Sequence, residues 1–403
     1  MNLLKIRYFP TLISSLFFSK LGDYAYEVIF VFIVLEVTNN DYLYAGVVYF
    51  FRFIPFIFFG PIGGWLADNG YIKKSLIYSE IIRLIISIII YISYINEAIN
   101  ISLLISSSFL TTVGRSIFQP SFQTFIPQII ENKKLSKANS ITQIIEEVSS
   151  ILGPLLCSLI ILVSDKGMVL IFNSLTYFIS IIILLGLNED KDKKNKNKNK
   201  KIYIFSVYKE TFLNIGNMFR TEYSLFVAII GSSLCILFTG SVIRFVIPAV
   251  SIYMNGDEVF TSYIFSLMAT GTIIGGIIYN KTITKSTPNK LMFYWFIYGV
   301  IMLIMSLLSM KFILMLSLIL GIFGAFVDIT LITTIQTLSK KENIGRNFGT
   351  FSTLANTAEA LSGITSGVIA TIGITFSFTI MSSLIALIGL YGITLTSNKK
   401  NTN

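Results

Sequence analysis

Acidic and basic side chains within long apolar runs are the residues of this chain most able to do chemistry. Asp23 and Glu27 stand four apart in one such run, so both lie on the same face of the helix that the run predicts. A carboxylate in an apolar run is costly unless it meets water or a partner, and a second acid nearby favours protonation. The pair predicts a proton-binding site. The alternative is purely structural pairing with Lys20 or Arg52.

Other isolated charges extend this hypothesis to later runs. Arg115, with Gln119 one turn later, predicts a fixed cation that a carboxylate releases on protonation, against the alternative of a packed ion pair. Asp328 and Arg244 are a plausible pair between helices, and Glu359 is a further isolated acid. The candidates for proton coupling are therefore Asp23, Glu27, Arg115, Asp328 and Glu359.

Aromatic and polar residues near these charges predict an adaptable apolar cavity, although lipid contact accounts for most aromatic residues in such a chain. The cavity candidates are Tyr24, Tyr26, Phe30, Arg52, Gln119 and Arg244. Glu80 and Arg83, three apart, predict a local pair that steadies a helix end, outside the binding site.

Composition restricts the class of protein. Apolar residues make up 54% of the 403 residues and charged residues only 13%, which argues for a lipid-embedded chain and against a soluble enzyme. The chain has no histidine, two cysteines within apolar runs (Cys157 and Cys235), and no nucleotide-binding glycine loop. We therefore expect no enzyme activity, metal site, cofactor or nucleic-acid partner, despite a net charge of +10.

Apolar runs predict an all-α polytopic membrane protein with twelve spans, six on each side of a polar linker. The expected spans are about 9–37, 44–67, 75–95, 99–122, 139–163, 167–187, 222–250, 258–280, 290–309, 311–335, 347–370 and 372–395. The expected domains are a first half at 1–187, a linker at 188–221 and a second half, with a short tail, at 222–403.

Basic residues predict the topology. Most of the 31 lysines and arginines fall in alternate loops, among them seven lysines between Lys191 and Lys201, whereas the opposite loops hold Lys166 and Lys311. By the positive-inside rule both termini are expected in the cytoplasm. The linker core, 188–201, is expected to be a solvated tether; the alternative is a site for anionic lipid or a partner.

Glycine pairs at matching places in the two halves, Gly63-Gly64 and Gly275-Gly276, suggest a degraded internal repeat. The stretch after the second span resembles the loop signature of the major facilitator superfamily, in which Gly64, Leu66, Ala67, Asp68, Lys73 and Lys74 match. Asn69 stands where the family usually has arginine. Asp68 is expected to accept hydrogen bonds at a neighbouring helix N-terminus, so that the loop latches one conformation.

Further motifs resemble the macrolide-efflux-like permeases, a drug:proton antiporter branch of that superfamily. The matching residues are Gly114-Arg115, Pro120, Phe125-Ile126-Pro127, Leu135, Ala138-Asn139-Ser140, Leu152-Gly153-Pro154, Gln336, Gly345-Arg346, Gly349, Gly363 and Gly367. The resemblance implies two pseudo-symmetric six-helix halves and associates Gly153-Pro154 in helix five with export.

The resemblance implies a monomeric, multi-pass transporter of the bacterial plasma membrane that exports macrolide-like or other amphipathic small molecules in exchange for protons, by alternating access. The alternatives on the same fold are an importer of a small metabolite and a membrane sensor that transports nothing.

Overall fold

The computed structural model describes residues 3–37, 42–187, 204–247, 258–282, 285–308, 310–370 and 372–397. Within these ranges the chain is helical almost throughout. The linker core 188–201 lies outside the described residues.

Each of the six runs expected in the first half lies on one helix. The helices are α1 (Phe9–Val37), α2 (Tyr42–Asp68), α3 (Ile72–Ile95), α4 (Ile101–Ile129), α5 (Leu135–Val163) and α6 (Lys166–Leu185). Their ends follow local chemistry: the side chains of Asn100 and Asp165 accept backbone N–H groups in the first turns of α4 and α6.

Among the residues described after 187, the structure has seven α-helices, where the sequence predicts six spans. They are α7 (Ile204–Thr221), α8 (Tyr223–Ser241), α9 (Glu258–Thr282), α10 (Pro288–Leu307), α11 (Met310–Leu338), α12 (Ile344–Ala370) and α13 (Ile374–Ser397). A π turn, Val242–Val246, continues α8. α7 falls in the stretch expected to be linker. Its buried face, which includes Val207 and Met218, accounts for the helix.

Nine of the described segments are long and apolar enough to cross a membrane, by length and composition alone. They lie on α3, α4, α5, α6, α8, α9, α10, α11 and α13. The predicted spans on α1, α2 and α12 are helices but are not among these nine. The total of twelve crossings and the side of the termini remain predictions.

The chain divides into two compact units. Unit 1 comprises Met1–Ile130, Ile145–Thr211 and Lys341–Thr353, and unit 2 comprises Glu131–Ile144, Phe212–Lys340 and Leu354–Asn403. The expected division at 1–187, 188–221 and 222–403 stays a prediction.

Helix pairing recurs in the two sets of six long helices. α1 packs on α6, α2 on α4, and α3 on α4 and α6; likewise α8 packs on α13, α9 on α11, and α10 on α11 and α13. A Cβ on Gly63 would lie 2.7 Å from the carbonyl oxygen of Ser116 on α4. A Cβ on Gly275 would lie 2.6 Å from the carbonyl oxygen of Ile322 on α11. Equivalent glycines therefore permit equivalent close packing, as the repeat in the sequence suggests.

Candidate functional site

Three charged residues form a stripe along α1, each about one turn from the next, and each meets a different neighbouring helix. Lys20 Nζ lies 3.6 Å from Glu146 Oε1 on α5. Glu27 Oε1 lies 3.1 Å from Arg52 Nη2 on α2. Between them, Asp23 meets arginines from both α3 and α4. The spacing of the stripe therefore joins α1 to four helices through charge.

Asp23 is 4% exposed and is surrounded by three donors. Arg83 Nη2 pairs with Oδ1 of this carboxylate, Arg115 Nη2 lies 3.4 Å from the same oxygen, and the Tyr177 hydroxyl donates to it at 2.5 Å. The guanidinium of Arg83 also lies 4.4 Å from the centre of the Tyr177 ring. A buried carboxylate requires partners of this kind, because burial without them would cost several kcal/mol.

Arg83 also joins a second acid to this site. Its Nη1 donates to Glu80 Oε1 at 2.9 Å, and the Ser19 hydroxyl donates to the same oxygen at 2.9 Å. Glu80 is fully buried. The charge cluster therefore consists of Ser19, Asp23, Glu80, Arg83, Arg115 and Tyr177. Its two acids and two arginines balance one another in charge.

Arg115 is the most accessible member of the cluster's ion pairs. Its side chain is 25% exposed, whereas those of Arg83 and Asp23 are 2% and 6% exposed. Gln119, one turn later on α4, is exposed. The contact of Arg115 with Asp23 is also the longer of the two arginine contacts. A change in charge at Asp23 would therefore release Arg115 more readily than Arg83.

The cavity candidates on α1 lie in different surroundings. Tyr26 and Phe30 are 5% and 1% exposed and belong to a core cluster with Ile29, Leu104 and others. Tyr24 is half-buried. The Arg52 guanidinium lies 5.8 Å from the Phe30 ring while it pairs with Glu27. The Phe30 ring thus lies next to the Arg52–Glu27 pair of the charged stripe.

Gly153 and Pro154 lie on α5, where it approaches α1. A Cβ on Gly153 would lie 2.6 Å from Cβ of Tyr24, next to Asp23. Glycine therefore allows α5 to pack directly against the charged turn of α1. Pro154 removes a backbone donor one residue later, where a helix can bend.

The candidates in the later helices are not gathered in the same way. Asp328 is exposed on α11, and Gln143 Nε2 lies 3.5 Å from its Oδ2. Glu359 is half-buried on α12. The Arg244 side chain lies outside the described residues, so its expected pairing with Asp328 stays a prediction.

Asp68 caps a distant helix. Its Oδ1 accepts the backbone N–H of Gly345 at 2.5 Å and its Oδ2 accepts that of Arg346 at 2.6 Å, in the first turn of α12. A carboxylate there satisfies N–H groups that have no partner within the helix and interacts favourably with the positive end of the helix dipole. A Cβ on Gly64 would overlap the carbonyl oxygen of Gly345. The motif residues thus permit close packing and the hydrogen bonds that accompany it.

The basic residues of the same loop differ in role. Lys73 Nζ donates to the carbonyl oxygens of Leu185, at 2.9 Å, and Leu187, at the end of α6. Lys74 is exposed. Asn69 donates to its own helix, at the carbonyl oxygen of Trp65. Asp68 is therefore held at α12 without the arginine that usually follows it.

A polar cluster in unit 2 is built from Asn139, Thr333 and Gln336. Asn139 Nδ2 donates to Thr333 Oγ1 and to Gln336 Oε1, both at 2.7 Å, and all three side chains are buried. The next residue, Ser140, donates to the carbonyl oxygen of Gly276. The beginning of α5 is thus hydrogen-bonded to the end of α11 and to α9.

Sequence reasoning missed four members of the charge cluster as site residues: Ser19, Glu80, Arg83 and Tyr177. The expected local pair between Glu80 and Arg83 is present, but Arg83 also reaches Asp23. The signal was available for Glu80 and Arg83, since charges in a span require partners. Tyr177 carried no signal, because it is one of 20 tyrosines in an aromatic-rich chain.

Comparisons with curated proteins find weak similarity to bacterial transporters. The chain is 25% identical to the staphyloferrin A transporter of Staphylococcus aureus (strain NCTC 8325 / PS 47) over 178 residues, which are 43% of this chain and 44% of that protein. It is 22% identical to macrolide efflux protein A of Enterococcus faecalis over 247 residues, 60% of this chain and 75% of that protein. The matched part thus spans less than half the length of the first relative.

Solved structures resemble nearly the whole chain. The E. coli fucose:proton symporter superposes with a TM-score of 0.76 at 12% identity, covering 96% of this chain and 98% of that chain. A bacterial homologue of the iron transporter ferroportin, in an outward-facing state, gives 0.77 at 14% identity, with 97% and 100% covered. Likeness at this identity shows the fold alone.

The family expected from the sequence motifs is confirmed by a family model that matches most of the chain. That model is described as Major Facilitator Superfamily and matches residues 12–364. The protein is therefore a multi-pass membrane protein of the transporter type, and the chain belongs to the Major Facilitator Superfamily.

Proposed function

We propose that this transporter exports amphipathic or apolar small molecules, of macrolide or drug type, in exchange for protons. The observation that carries the proposal is Asp23, a buried acid that contacts one buried and one partly exposed arginine. The similarity of the chain to macrolide efflux protein A supports export as the direction of transport and supports the proposed substrate class.

The charge cluster offers a way to couple a proton to a change in structure. Protonation of Asp23 removes one of two negative charges, so Arg83 and Arg115 then share Glu80 alone. Arg83 keeps its 2.9 Å contact with Glu80, whereas the 3.4 Å contact of Arg115 is lost. The released cation and Gln119, one turn away on α4, then meet the substrate or solvent. Deprotonation restores the pair.

The energy for export would come from the proton gradient. One charge that crosses ~100 mV releases about 2.3 kcal/mol, and a pH difference adds to this. The chain has no P-loop of the G-x-x-x-x-G-K-S/T type, so direct use of ATP is not expected.

Two sets of contacts are proposed to form and break as the two halves alternate in access. One is the cap that Asp68 places on α12, and the other is the polar cluster of Asn139, Thr333 and Gln336. Both join helix ends through hydrogen bonds rather than through a large apolar core. Such contacts exchange readily with water, which suits a reversible closure.

The same proposal places the protein in a bacterial plasma membrane as a monomer, with both termini in the cytoplasm. The bacterial relatives and the one-sided basic loops support it.

Import of a small polar solute is the second candidate function. The charge cluster and the neighbouring Arg52–Glu27 pair hold three arginines close to α1, and arginine binds carboxylate or phosphate groups well. Arg52 and Arg115 would then bind the solute.

An accumulation assay tests the proposal. Energised cells that express the protein would be given a panel of dyes and macrolides, with and without a protonophore, beside cells that express the Asp23→Asn variant. We expect lower accumulation of at least one compound, loss of that effect with the protonophore, and loss in the variant. Uptake that rises on expression would favour the importer instead.

A further variant distinguishes a transporter from a sensor that keeps the fold. Neutralising Asp23, Glu27 and Arg115 together should abolish proton-coupled flux. Full flux in that triple variant would refute a coupling role for these residues.

A further inference from the structure

Helix α7 buries one face among the described residues and exposes a row of aromatic side chains on another. Its buried positions, Val207, Thr211, Asn214 and Met218, recur every three or four residues. On the opposite face Phe205, Phe212 and Phe219 stand seven residues apart and therefore lie in one row. Their exposed fractions are 83%, 74% and 54%. We call this row the phenylalanine stripe.

The end of α7 lies at the beginning of a span. A single residue, Glu222, separates it from α8, which is long and apolar enough to cross a membrane. The Phe219 ring lies 5.7 Å from the Tyr223 ring and 5.1 Å from the Phe226 ring of α8. The stripe is thus continuous with aromatic residues of a span, at the level where a span leaves the bilayer.

A second contact holds α7 against α2. The Tyr208 hydroxyl donates to the carbonyl oxygen of Phe58 at 2.6 Å. The Phe58 side chain is itself 50% exposed on α2. The two ends of α7 are therefore each next to exposed apolar side chains of another helix.

Charge on α7 is arranged around the stripe. Lys209 and Arg220 are exposed and lie beside it, four and fifteen residues after Phe205. Glu210 lies further round the helix from the stripe than Lys209, and its Oε2 lies 2.9 Å from Arg346 Nη2. Seven lysines between Lys191 and Lys201 precede the helix in the sequence. The stripe is thus flanked by two exposed cations along one edge, and Glu210 is paired with Arg346.

We propose that α7 binds anionic phospholipid of the surrounding leaflet, with the phenylalanine stripe inserted among the acyl chains and Lys209 and Arg220 bound to headgroup phosphates. Aromatic residues on one face with cations at its border are the pattern of helices that lie in the membrane interface. Anionic headgroups complement the cations, whereas a zwitterionic leaflet, whose phosphates are balanced by choline, has no net charge to attract them.

Spin labels test where the stripe lies. A nitroxide at Phe212→Cys is compared with one at Asn217→Cys, an exposed position off the stripe, in the full-length protein in nanodiscs. Cys157 and Cys235 are buried, so wild-type protein carried through the same labelling gives the background. Phosphatidylcholine discs are compared with discs that also contain phosphatidylglycerol. We expect the label at 212 to be accessible to oxygen and shielded from an aqueous nickel reagent, more so with phosphatidylglycerol, and the label at 217 to show the reverse.

Lipid retention tests the charge. Lys209→Gln/Arg220→Gln should retain at least ~3-fold less phosphatidylglycerol after delipidation than Lys133→Gln/Lys137→Gln, which removes the same charge from exposed positions around the beginning of α5. Equal retention in the two double variants would refute the anionic specificity, as would equal depth at 212 in the two lipids. If the label at 212 were as accessible to nickel as the label at 217, lipid would be refuted as the occupant. A spectrum of the 212 label broadened by a neighbouring label would also refute lipid, and would indicate that a second copy of the chain covers the stripe.

Discussion

Asp23 concentrates the chemistry of this chain because three donors from three other helices converge on one carboxylate oxygen. Arg83 contributes most of the geometry, since its planar group contacts Asp23, Glu80 and Ser19 at once. A lysine could supply the charge but not this arrangement of donors. We therefore expect the site to depend on residue type as well as on charge.

Asp23→Asn is expected to reduce both stability and coupled flux. It leaves two arginines with one acid, and breaking a buried ion pair typically costs ~3–5 kcal/mol. Proton-coupled flux should be lost, because asparagine cannot bind and release the proton. Thermal unfolding of the purified protein and substrate flux are the measurements. Glu131→Gln is the control, because the Glu131 side chain is 71% exposed and its pair with Lys134 is screened by solvent. Equal losses in the two variants would contradict the special position of Asp23.

Arg83→Lys is expected to lower the unfolding temperature while the net charge is unchanged. The shorter reach and single nitrogen of lysine cannot contact Asp23 and Glu80 as arginine does, so one buried acid loses a partner. Lys209→Arg, at an exposed position on α7, is the matched exchange and should leave the unfolding temperature unchanged. An Arg83→Lys protein as stable as wild type would show that charge alone maintains the cluster.

At the scale of the elements, hydropathy was sufficient to locate the long helices. Every lipid-facing side chain must be apolar, so a run such as 75–95 marks α3 to within a few residues. Which helices pair was beyond hydropathy, because it depends on small residues such as Gly63 and Gly153 that allow backbones to approach. α7 was missed because the lysine-rich core beside it dominated the composition, although the seven-residue spacing of its phenylalanines was readable.

Asp68→Asn is expected to loosen the first turn of α12. Asparagine has one acceptor oxygen and no charge, so one of the two backbone N–H groups loses its partner. A loss of ~1 kcal/mol corresponds to roughly 5-fold faster hydrogen exchange at the amides of Gly345 and Arg346. Asn69→Ala is the control, because Asn69 donates within its own helix. Unchanged exchange at both amides would contradict the capping role.

Two glycine-to-alanine changes should have opposite effects on stability. Gly153→Ala places a Cβ 2.6 Å from Tyr24 Cβ, and overpacking of this kind costs ~1–3 kcal/mol. Gly216→Ala on α7 meets no atom within 4 Å and gains up to ~1 kcal/mol from helix propensity. The comparison is made by thermal unfolding. If the Gly153→Ala protein were as stable as wild type, the close approach of α1 and α5 at Gly153 would not be required for stability.

At the scale of the whole molecule, family and fold class followed from motifs and hydropathy because they depend on many residues at once. The pairing of α1 with α6 and of α8 with α13 repeats in the two sets of six helices, as an internal duplication requires. Partners in the charge cluster depend on single side chains, so Tyr177 could be found only from the packed structure. The substrate depends on fewer residues still.

Proton release on substrate transport tests the central claim most directly. Purified protein would be reconstituted in liposomes that contain a pH-sensitive dye, and compounds of the dye and macrolide panel would be added without an imposed gradient. We predict that at least one compound moves protons across the membrane in the opposite direction to its own transport, and that the Asp23→Asn variant binds this compound but moves no protons. Substrate transport in wild-type protein without any proton movement, or with proton movement unchanged by Asp23→Asn, would contradict the account.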